Sequence, residues 1–204
     1  MLGQLTPKYI FLTKGVGVDE DDLHAFEAAL RVAGVADQNL VGVSSILPPG
    51  CKIISKELGQ RFLRPGDIRF CVKAEMRDDE PHRYIGASIG IAVPKDTRRH
   101  GYLSEYHKIG WNPKELGEHA EDKAAEFLAT VIGIEGFNPD ASWNQKEEFF
   151  KMEGQIVRTH NVTACVKGDN QGKYTAVVAL AVFLFQHDVD RWKDENPGKK
   201  CPLD

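Results

Sequence analysis

Apolar and polar residues alternate most regularly between residues 84 and 93. One side of this segment carries Ile85, Ala87, Ile89, Ile91 and Val93. A period of two is typical of a β-strand with one buried face. Shorter apolar runs predict further strands at residues 9–13, 39–43, 68–74, 155–166 and 174–185. Polar turns at residues 78–81 and 167–172 each separate two of these strands, so we expect two antiparallel hairpins.

Two other segments show the period of a helix. The first follows the acidic residues 19–22, which supply a cap and first-turn acids, and it ends at Gly34. Its apolar stripe is expected to contain Leu23, Phe26, Leu30 and Ala33. The second begins at Asn112, with Pro113 in the first helical position, and runs to about Ile132. Its inward side chains are expected to be Leu116, Ala120, Ala124, Phe127, Leu128 and Val131.

The order of these elements lacks a regular βαβ alternation, so it predicts an α+β fold with a largely antiparallel sheet. We expect a single domain over residues 1–185. Gly15 and Gly17 are interpreted as a flexible turn, and residues 136–154 as an inserted loop or short helix on the surface. The charged residues 186–204 are expected to form a mostly disordered tail.

The composition is ordinary for a soluble globular protein, because 42% of the 204 residues are hydrophobic and 27% are charged. The net charge is −4 and the lysines and arginines are dispersed, which argues against a nucleic-acid partner. The longest apolar stretch, residues 175–185, is far shorter than the ~20 residues of a membrane-spanning helix. The amino terminus lacks a basic segment followed by an apolar one. We therefore expect no membrane partner and a cytoplasmic location.

Cysteine and histidine spacing does not support a metal site. The four cysteines lie far apart, at Cys51, Cys71, Cys165 and Cys201, and form no Cys-x-x-Cys pair. The spacing of His100 and His107 suits no common ligand pair. We expect free thiols and no metal.

Ser44 and Ser45 are the most specific chemical feature of the chain. They follow the apolar run 41–43 and precede Pro48 and Pro49, so we expect a sharp turn at the end of a strand. Considered in isolation, such a pair is more often a polar strand end. The chemical alternative is that the Ser45 hydroxyl attacks the carbonyl of Ser44 to give an ester. β-Elimination and hydrolysis would then leave a pyruvoyl group on a new amino terminus.

Several segments around this pair carry a resemblance to a known family. They are residues 23–34, 39–40, 44–49, 87–96 and 101–106. In order and spacing they resemble the pyruvoyl-dependent arginine decarboxylases, and the resemblance extends over residues 9–134 and weakly into the last strands.

The resemblance implies a carboxy-lyase that converts L-arginine to agmatine and CO₂ with a pyruvoyl cofactor formed covalently from Ser45. It implies self-cleavage between Ser44 and Ser45 into residues 1–44 and 45–204. It also implies a layered sandwich of mainly antiparallel sheets flanked by helices. The cleaved protomers would assemble as a homotrimer with active sites between subunits.

The same resemblance gives roles to Asn39 and Glu105. Asn39 matches a family position linked to processing, where its amide could stabilise the oxyanion formed when Ser45 attacks. An ordinary turn asparagine is the alternative. Glu105, between Tyr102 and Tyr106, matches the family's proton donor, which protonates the product carbon after decarboxylation. A solvent-facing strand carboxylate is the alternative.

Substrate recognition is expected on the first helix. Leu23, Glu27 and Leu30 share one face because they are spaced i, i+4 and i+7. A carboxylate at position 27 could bind a guanidinium group bidentately, and Ser44 could contact the substrate as a new carboxy terminus. The family has Asp where this chain has Glu27, so strict arginine specificity stays open, and so does a simple salt bridge at the rim.

Two other functions also stay open. A trimeric, non-catalytic homologue could bind a small amine, or act as an assembly partner, without ever cleaving its Ser44–Ser45 bond. A processed enzyme could instead decarboxylate a different amino acid. Intact mass under denaturing conditions distinguishes the first alternative, and substrate profiling distinguishes the second.

Overall fold

The computed structural model describes residues 5–135, 137–139, 143–144, 149–152 and 155–204 of the chain. The elements are β1 (Tyr9–Asp19), α1 (Asp22–Ala33), β2 (Asn39–Gly42), β3 (Ile46–Leu47), β4 (Lys52–Ile54), α2 (Lys56–Gln60), β5 (Ile68–Asp78), β6 (Tyr84–Pro94), β7 (Gly101–Ile109), α3 (Pro113–Val131), β8 (Trp143–Asn144), β9 (Phe149–Met152), β10 (Gln155–Lys167), β11 (Tyr174–Leu184) and α4 (Gln186–Glu195). The predicted strand at residues 84–93 is β6, and the predicted helices are α1 and α3. These three predictions are confirmed.

The strands form two sheets. Among the described residues, the first sheet has five strands in the order β2-β5-β11-β1-β4, and the second has six in the order β3-β7-β6-β10-β9-β8. Every pairing among the described residues of the second sheet is antiparallel. The first sheet also contains the parallel pairs β1–β4 and β2–β5. This mainly antiparallel sandwich with helices confirms the predicted α+β class.

Both predicted hairpins are wrong. β5 pairs with β11 and β2 in the first sheet, while β6 pairs with β7 and β10 in the second. β10 and β11 likewise belong to different sheets. The turns at residues 78–81 and 167–172 reverse the chain, but each carries it across the sandwich. Turn residues indicate where a strand ends, and they do not specify which sheet receives the next strand.

Apolar side chains fill one layer between the sheets and one layer under each helical face. The odd-numbered residues 85–91 of β6 meet the odd-numbered residues 177–183 of β11 in the inner layer. The even-numbered residues 176–184 of β11 pack under α1. On the far side of the second sheet, Ala92 packs against α3. The order helix, sheet, sheet, helix therefore places the two faces of β11 in separate environments.

β1 continues through Gly15 and Gly17, so the expectation of a flexible turn is wrong. A Cβ atom on Gly15 would lie 1.9 Å from the carbonyl oxygen of Ala29 in α1, and one on Gly17 would lie 2.1 Å from that of Ala25. No side chain fits at such distances. The two glycines allow the helix to approach the strand closely.

The helix termini match the sequence signals. The side chain of Asp21 caps α1, and Gly34 ends it in the left-handed conformation, with φ of 76°. Asn112 forms a capping box with Glu115 at the start of α3.

The predicted helix stripes are confirmed in part, and small residues make more of the contacts than predicted. Ala33 of α1 is buried as predicted, and Phe26 and Leu30 pack partly against the same layer. Leu23 is 65% exposed, and α1 is buried through Ala25, Ala29 and Ala33. On α3, Phe127 and Val131 are also exposed, whereas Leu116, Ala120, Ala124 and Leu128 are buried as predicted.

The predicted disorder of residues 186–204 is wrong, because this segment contains α4 and packs against the first sheet. Asp188 of α4 is buried and forms an ion pair with the buried Arg69, with Oδ1 and Nη1 2.7 Å apart. Val189 and Cys201 join the layer under α1. The high charge of the segment concealed its few buried positions.

Part of the predicted insert at residues 136–154 lies outside the described residues. Its described strands, β8 and β9, extend the second sheet beyond β10. This part is therefore sheet, and not the loop or short helix that was expected.

Candidate active site

Ser44 and Ser45 lie in the connection that carries the chain from one sheet to the other. β2, at the edge of the first sheet, ends at Gly42, two residues before Ser44. β3, at the edge of the second sheet, begins at Ile46, directly after Ser45. The amide of Val43 still donates a hydrogen bond to the carbonyl of Cys71 at 3.1 Å. The serine pair therefore spans two anchored sheet edges, at the strand end where a turn was predicted.

The hydroxyl of Ser45 donates a hydrogen bond to the carboxylate of Glu105, with Oγ and Oε2 2.8 Å apart. The pairing of β3 with β7 brings them together, since the amide of Leu103 donates to the carbonyl of Ser45 at 2.8 Å. A carboxylate in this position can take the proton that a serine loses when its oxygen attacks a carbonyl. A nucleophile and a base thus meet across the sheet edge.

The carbonyl group that Ser45 would attack is held in a tight turn. The oxygen of Ser44 accepts a hydrogen bond from the amide of Ile46 at 2.9 Å, which closes a three-residue γ-turn. An N–H donor at this oxygen stabilises the negative charge that develops during attack. Sequence reasoning missed this donor because nearly every residue has a backbone N–H, and only the turn distinguishes it.

Glu105 is exposed, although Tyr102 and Tyr106 flank it in the sequence. The two tyrosines do not cover it, because alternate residues of a strand face opposite sides of the sheet. Glu105 shares a face with Leu103, which belongs to the layer between the sheets. Tyr106 faces α3, where its ring lies 4.3 Å from that of His119.

Asn39 is exposed at the start of β2, and its side-chain amide donates to the carbonyl of Gly66 at 2.8 Å. A strand rises ~3.3 Å per residue, so Asn39 lies roughly 10 Å from the end of β2. The structure of one chain does not bring its amide to the carbonyl of Ser44. A role for Asn39 in processing stays a prediction.

A cavity of about 360 Å³ opens beside Ser44. Its mainly apolar walls come from both sheets and from the segment before β1. The lining residues are Leu5, Pro7, Val43, Ser44, Ile46, Pro48, Phe70, Phe183 and Phe185. This volume lies in the usual range for small-molecule sites. Sequence reasoning missed the phenylalanines as site residues, because nothing in a strand pattern distinguishes a cavity wall from the core.

The predicted substrate residues on α1 are remote from this cavity within one chain. α1 packs on the outer face of the first sheet, whereas Phe183 of the cavity lies on the inner face. Leu23 is exposed, and Leu30 packs partly against the sheet. The Glu27 side chain is 41% exposed and pairs with Arg31 at 2.9 Å. The structure therefore brings Ser44, Ser45 and Glu105 together, but not Leu23, Glu27 or Leu30 with them.

All four cysteines are free, as predicted. Burial raises the pKa of Cys51 to about 12 and that of Cys71 to about 11, so neither is a reactive thiolate near neutral pH. In the described part of the chain, no three His, Cys, Asp or Glu side chains cluster as metal ligands would. None of the helices formed by the described residues combines the length and apolar character needed to cross a membrane.

The sequence matches the family model for pyruvoyl-dependent arginine decarboxylase (PvlArgDC) over residues 9–188. It is 47% identical to the pyruvoyl-dependent arginine decarboxylase of Nitrosopumilus maritimus over 180 residues, which cover 88% of this chain and 98% of the relative. It is 48% identical over 178 residues to the probable pyruvoyl-dependent arginine decarboxylase of Chloroherpeton thalassium, covering 87% and 97% of the two chains. The pyruvoyl-dependent arginine decarboxylase of Methanococcoides burtonii is 47% identical over 180 residues, with 88% and 99% covered.

Proposed function

Because this chain belongs to the family of pyruvoyl-dependent arginine decarboxylases, we propose that it cleaves itself between Ser44 and Ser45 and converts L-arginine to agmatine and CO₂. Membership makes it a carboxy-lyase with a covalently bound pyruvoyl group. The contact between the Ser45 hydroxyl and the Glu105 carboxylate is the observation that supports Ser45 as the source of this group.

Self-cleavage begins when the Ser45 oxygen attacks the carbonyl carbon of Ser44 and its proton passes to Glu105. The C–N bond then breaks, the nitrogen of Ser45 takes up a proton to become an amine, and an ester joins the two fragments. Elimination then transfers the α-proton of Ser45 to solvent, breaks the bond from its Cβ to the ester oxygen, releases the carboxylate of Ser44 and leaves dehydroalanine at position 45. Dehydroalanine tautomerises to an imine, water adds to the imine, and loss of ammonia gives the pyruvoyl group.

The two fragments have a physical reason to stay associated. β1 belongs to residues 1–44 and pairs with β11, which belongs to residues 45–204, from Tyr9 opposite Leu184 to Asp19 opposite Tyr174. α1 packs on the same sheet through buried alanines. Cutting the Ser44–Ser45 bond breaks none of these contacts.

Position 45 fits a pyruvoyl group, because it is partly exposed and is held by the hydrogen bond from Leu103 to its carbonyl. When present, the group withdraws electrons from the bond to the departing carboxylate of a bound amino acid. Glu105 loses its serine hydroxyl partner on cleavage. Its carboxyl group is then placed to hold a proton and deliver it to the substrate α-carbon.

The cavity beside Ser44 suits the methylene stem of arginine, and a carboxylate is needed to bind the guanidinium group. Glu27 supplies that carboxylate only from another copy, because α1 of the same chain lies on the opposite face of the first sheet. The exposed Leu23 lies one turn before Glu27 on the same helix. We infer a homotrimer of cleaved protomers, in which α1 of one subunit completes the site at Ser45 of the next.

The direct test is an assay of the purified protein with L-arginine. We expect CO₂, trapped as gas, and agmatine, identified by mass spectrometry, in equal amounts. Ornithine and lysine lack a guanidinium group and should react far more slowly. Equal rates for all three would favour a decarboxylase of another amino acid, and an uncleaved chain that releases no CO₂ would favour the non-catalytic homologue.

A further inference from the structure

The carboxylate of Glu27, which is proposed to bind substrate, already forms an ion pair with Arg31 of the same helix. Arg31 donates a hydrogen bond from Nε to Oε1 of Glu27 at 2.9 Å, and its Nη2 lies 2.9 Å from the same oxygen in an ion pair. The second oxygen, Oε2, is shielded from solvent and receives no hydrogen bond from the described residues. One oxygen of Glu27 is thus held by Arg31, and the other is shielded and receives no hydrogen bond from the described residues.

We propose that Arg31 is a positioning residue that sets the affinity for arginine by competing for Glu27. This inference rests on the proposed function, in which Glu27 of one subunit receives the substrate guanidinium. A planar guanidinium binds a carboxylate best with one N–H to each oxygen. Arg31 already occupies Oε1, and Oε2 is shielded from solvent. An incoming substrate guanidinium must therefore displace Arg31 to reach the carboxylate.

Two further features make Arg31 a competitor that substrate can displace. The side chain of Arg31 is 73% exposed and that of Glu27 is 41% exposed, and such exposed i, i+4 pairs are weak. Arg31 also places a second positive charge beside the incoming guanidinium, which opposes binding and is screened by salt. The geometry therefore lowers substrate affinity without touching Ser45 or Glu105, so the effect belongs in KM and not in kcat.

The experiment introduces Arg31→Gln into the wild-type enzyme and into Glu27→Gln. For each enzyme, KM and kcat for L-arginine and the inhibition constant of agmatine are measured. We expect Arg31→Gln to lower KM and the agmatine constant about two- to tenfold at low salt, less at high salt, and to leave kcat unchanged. Arg31→Lys keeps the charge but not the two-pronged donor, so its KM should be intermediate. Arg83→Gln is the matched control, because Arg83 is also an exposed partner of a carboxylate, Glu80, and lies off α1.

The double variant isolates the mechanism. If Arg31 acts through Glu27, Arg31→Gln should lower KM less in the Glu27→Gln background than in wild type, because only the direct repulsion between Arg31 and the substrate is then removed. An unchanged or raised KM for Arg31→Gln, while Glu27→Gln still raises KM, would overturn the competition and leave the proposed function intact. A Glu27→Gln enzyme with the KM of wild type would overturn both the competition and the role of Glu27 in the proposed site.

Discussion

At the scale of single residues, the proposed function gives the carboxylate of Glu105 two successive partners. In the intact chain it accepts a hydrogen bond from the Ser45 hydroxyl at 2.8 Å. The proposed conversion of Ser45 would remove that hydroxyl and make the same carboxylate available to the substrate. One side chain can therefore accept a proton during processing and donate one during turnover, because its partner changes between the two reactions.

Glu105→Gln should separate these two roles. Glutamine keeps an oxygen that accepts a hydrogen bond from Ser45, so processing should go to completion, although more slowly, with solvent taking the proton. Turnover requires an acid at every cycle, and we expect the decarboxylation rate to fall by ~10²–10⁴-fold. Gel analysis of fragments and CO₂ release measure the two effects. Near wild-type CO₂ release from fully processed Glu105→Gln would mean that another group delivers the proton.

The sequence predicts these residues unequally. The serine pair and Glu105 could be chosen from their types and from the family resemblance. The amide of Ile46 on the Ser44 carbonyl could not, because backbone donors have no residue signature. The resemblance also indicated Asn39, but only the structure gives its amide another acceptor, the carbonyl of Gly66.

At the scale of elements, the close crossing of α1 over β1 determines where the helix face lies. Gly15 and Gly17 remove side chains from the strand, and Ala25 and Ala29 keep those of the helix small. This crossing fixes the outer face of α1, including Glu27, relative to the first sheet. In the proposed trimer, substrate recognition across a subunit boundary depends on that position.

Gly15→Ala should destabilise the protein by about 1–3 kcal/mol or more, because the added Cβ would lie 1.9 Å from the Ala29 carbonyl oxygen. Urea unfolding followed by circular dichroism measures the loss. Gly42→Ala is the control, since a Cβ there would meet nothing within 4 Å, and it should change stability by less than about 1 kcal/mol. Equal stability of the two variants would show that the crossing tolerates a side chain.

Helices were predicted better than strand connections for a local reason. Caps and apolar periodicity lie within each helix, so Asp21, Gly34 and Asn112 mark α1 and α3 directly. Strand pairing depends on distant segments. The turns at residues 78–81 and 167–172 signalled reversal, but nothing local shows that the next strand enters the other sheet.

At the scale of the whole molecule, ion pairs hold the C-terminal helix α4 against the first sheet. Arg69 contacts Asp67 at 2.5 Å and Asp188 at 2.7 Å, and Arg191 of α4 donates to Asp67 at 2.7 Å. The tail was expected to be disordered because its sequence is highly charged. The partner that orders it, Arg69, lies over a hundred residues earlier in β5, where local sequence reasoning could not connect the two.

Low pH should weaken the ion pairs of Asp67 with Arg69 and Arg191. The hydrogen bond from Arg191, with Arg69 assisting, lowers the pKa of Asp67 from 3.8 to about 2. The ionised carboxylate therefore stabilises the fold above pH 4, and this contribution is lost as the pH falls from about 4 through about 2. Asp67→Asn should lower the stability at pH 7, and its stability should decrease less than that of wild type as the pH falls from about 4 to about 2.

Thermal unfolding at pH 7, 4 and 3 measures this effect. Asp79→Asn is the control, because Asp79 lies exposed in the turn after β5 and should leave the pH dependence of wild type unchanged. If the stability of Asp67→Asn decreases with falling pH as much as that of wild type does, the loss of stability in acid is due to other carboxylates.

The proposed function requires that the chain makes its own carbonyl cofactor at Ser45, which mass spectrometry of the purified protein under denaturing conditions tests directly. Wild type should give two chains, residues 1–44 and residues 45–204, with position 45 converted to a pyruvoyl group. Ser45→Ala, which has no hydroxyl to attack the Ser44 carbonyl, should give one chain of 204 residues. An intact wild-type chain, or a Ser45→Ala protein that still separates into two, would contradict the claim.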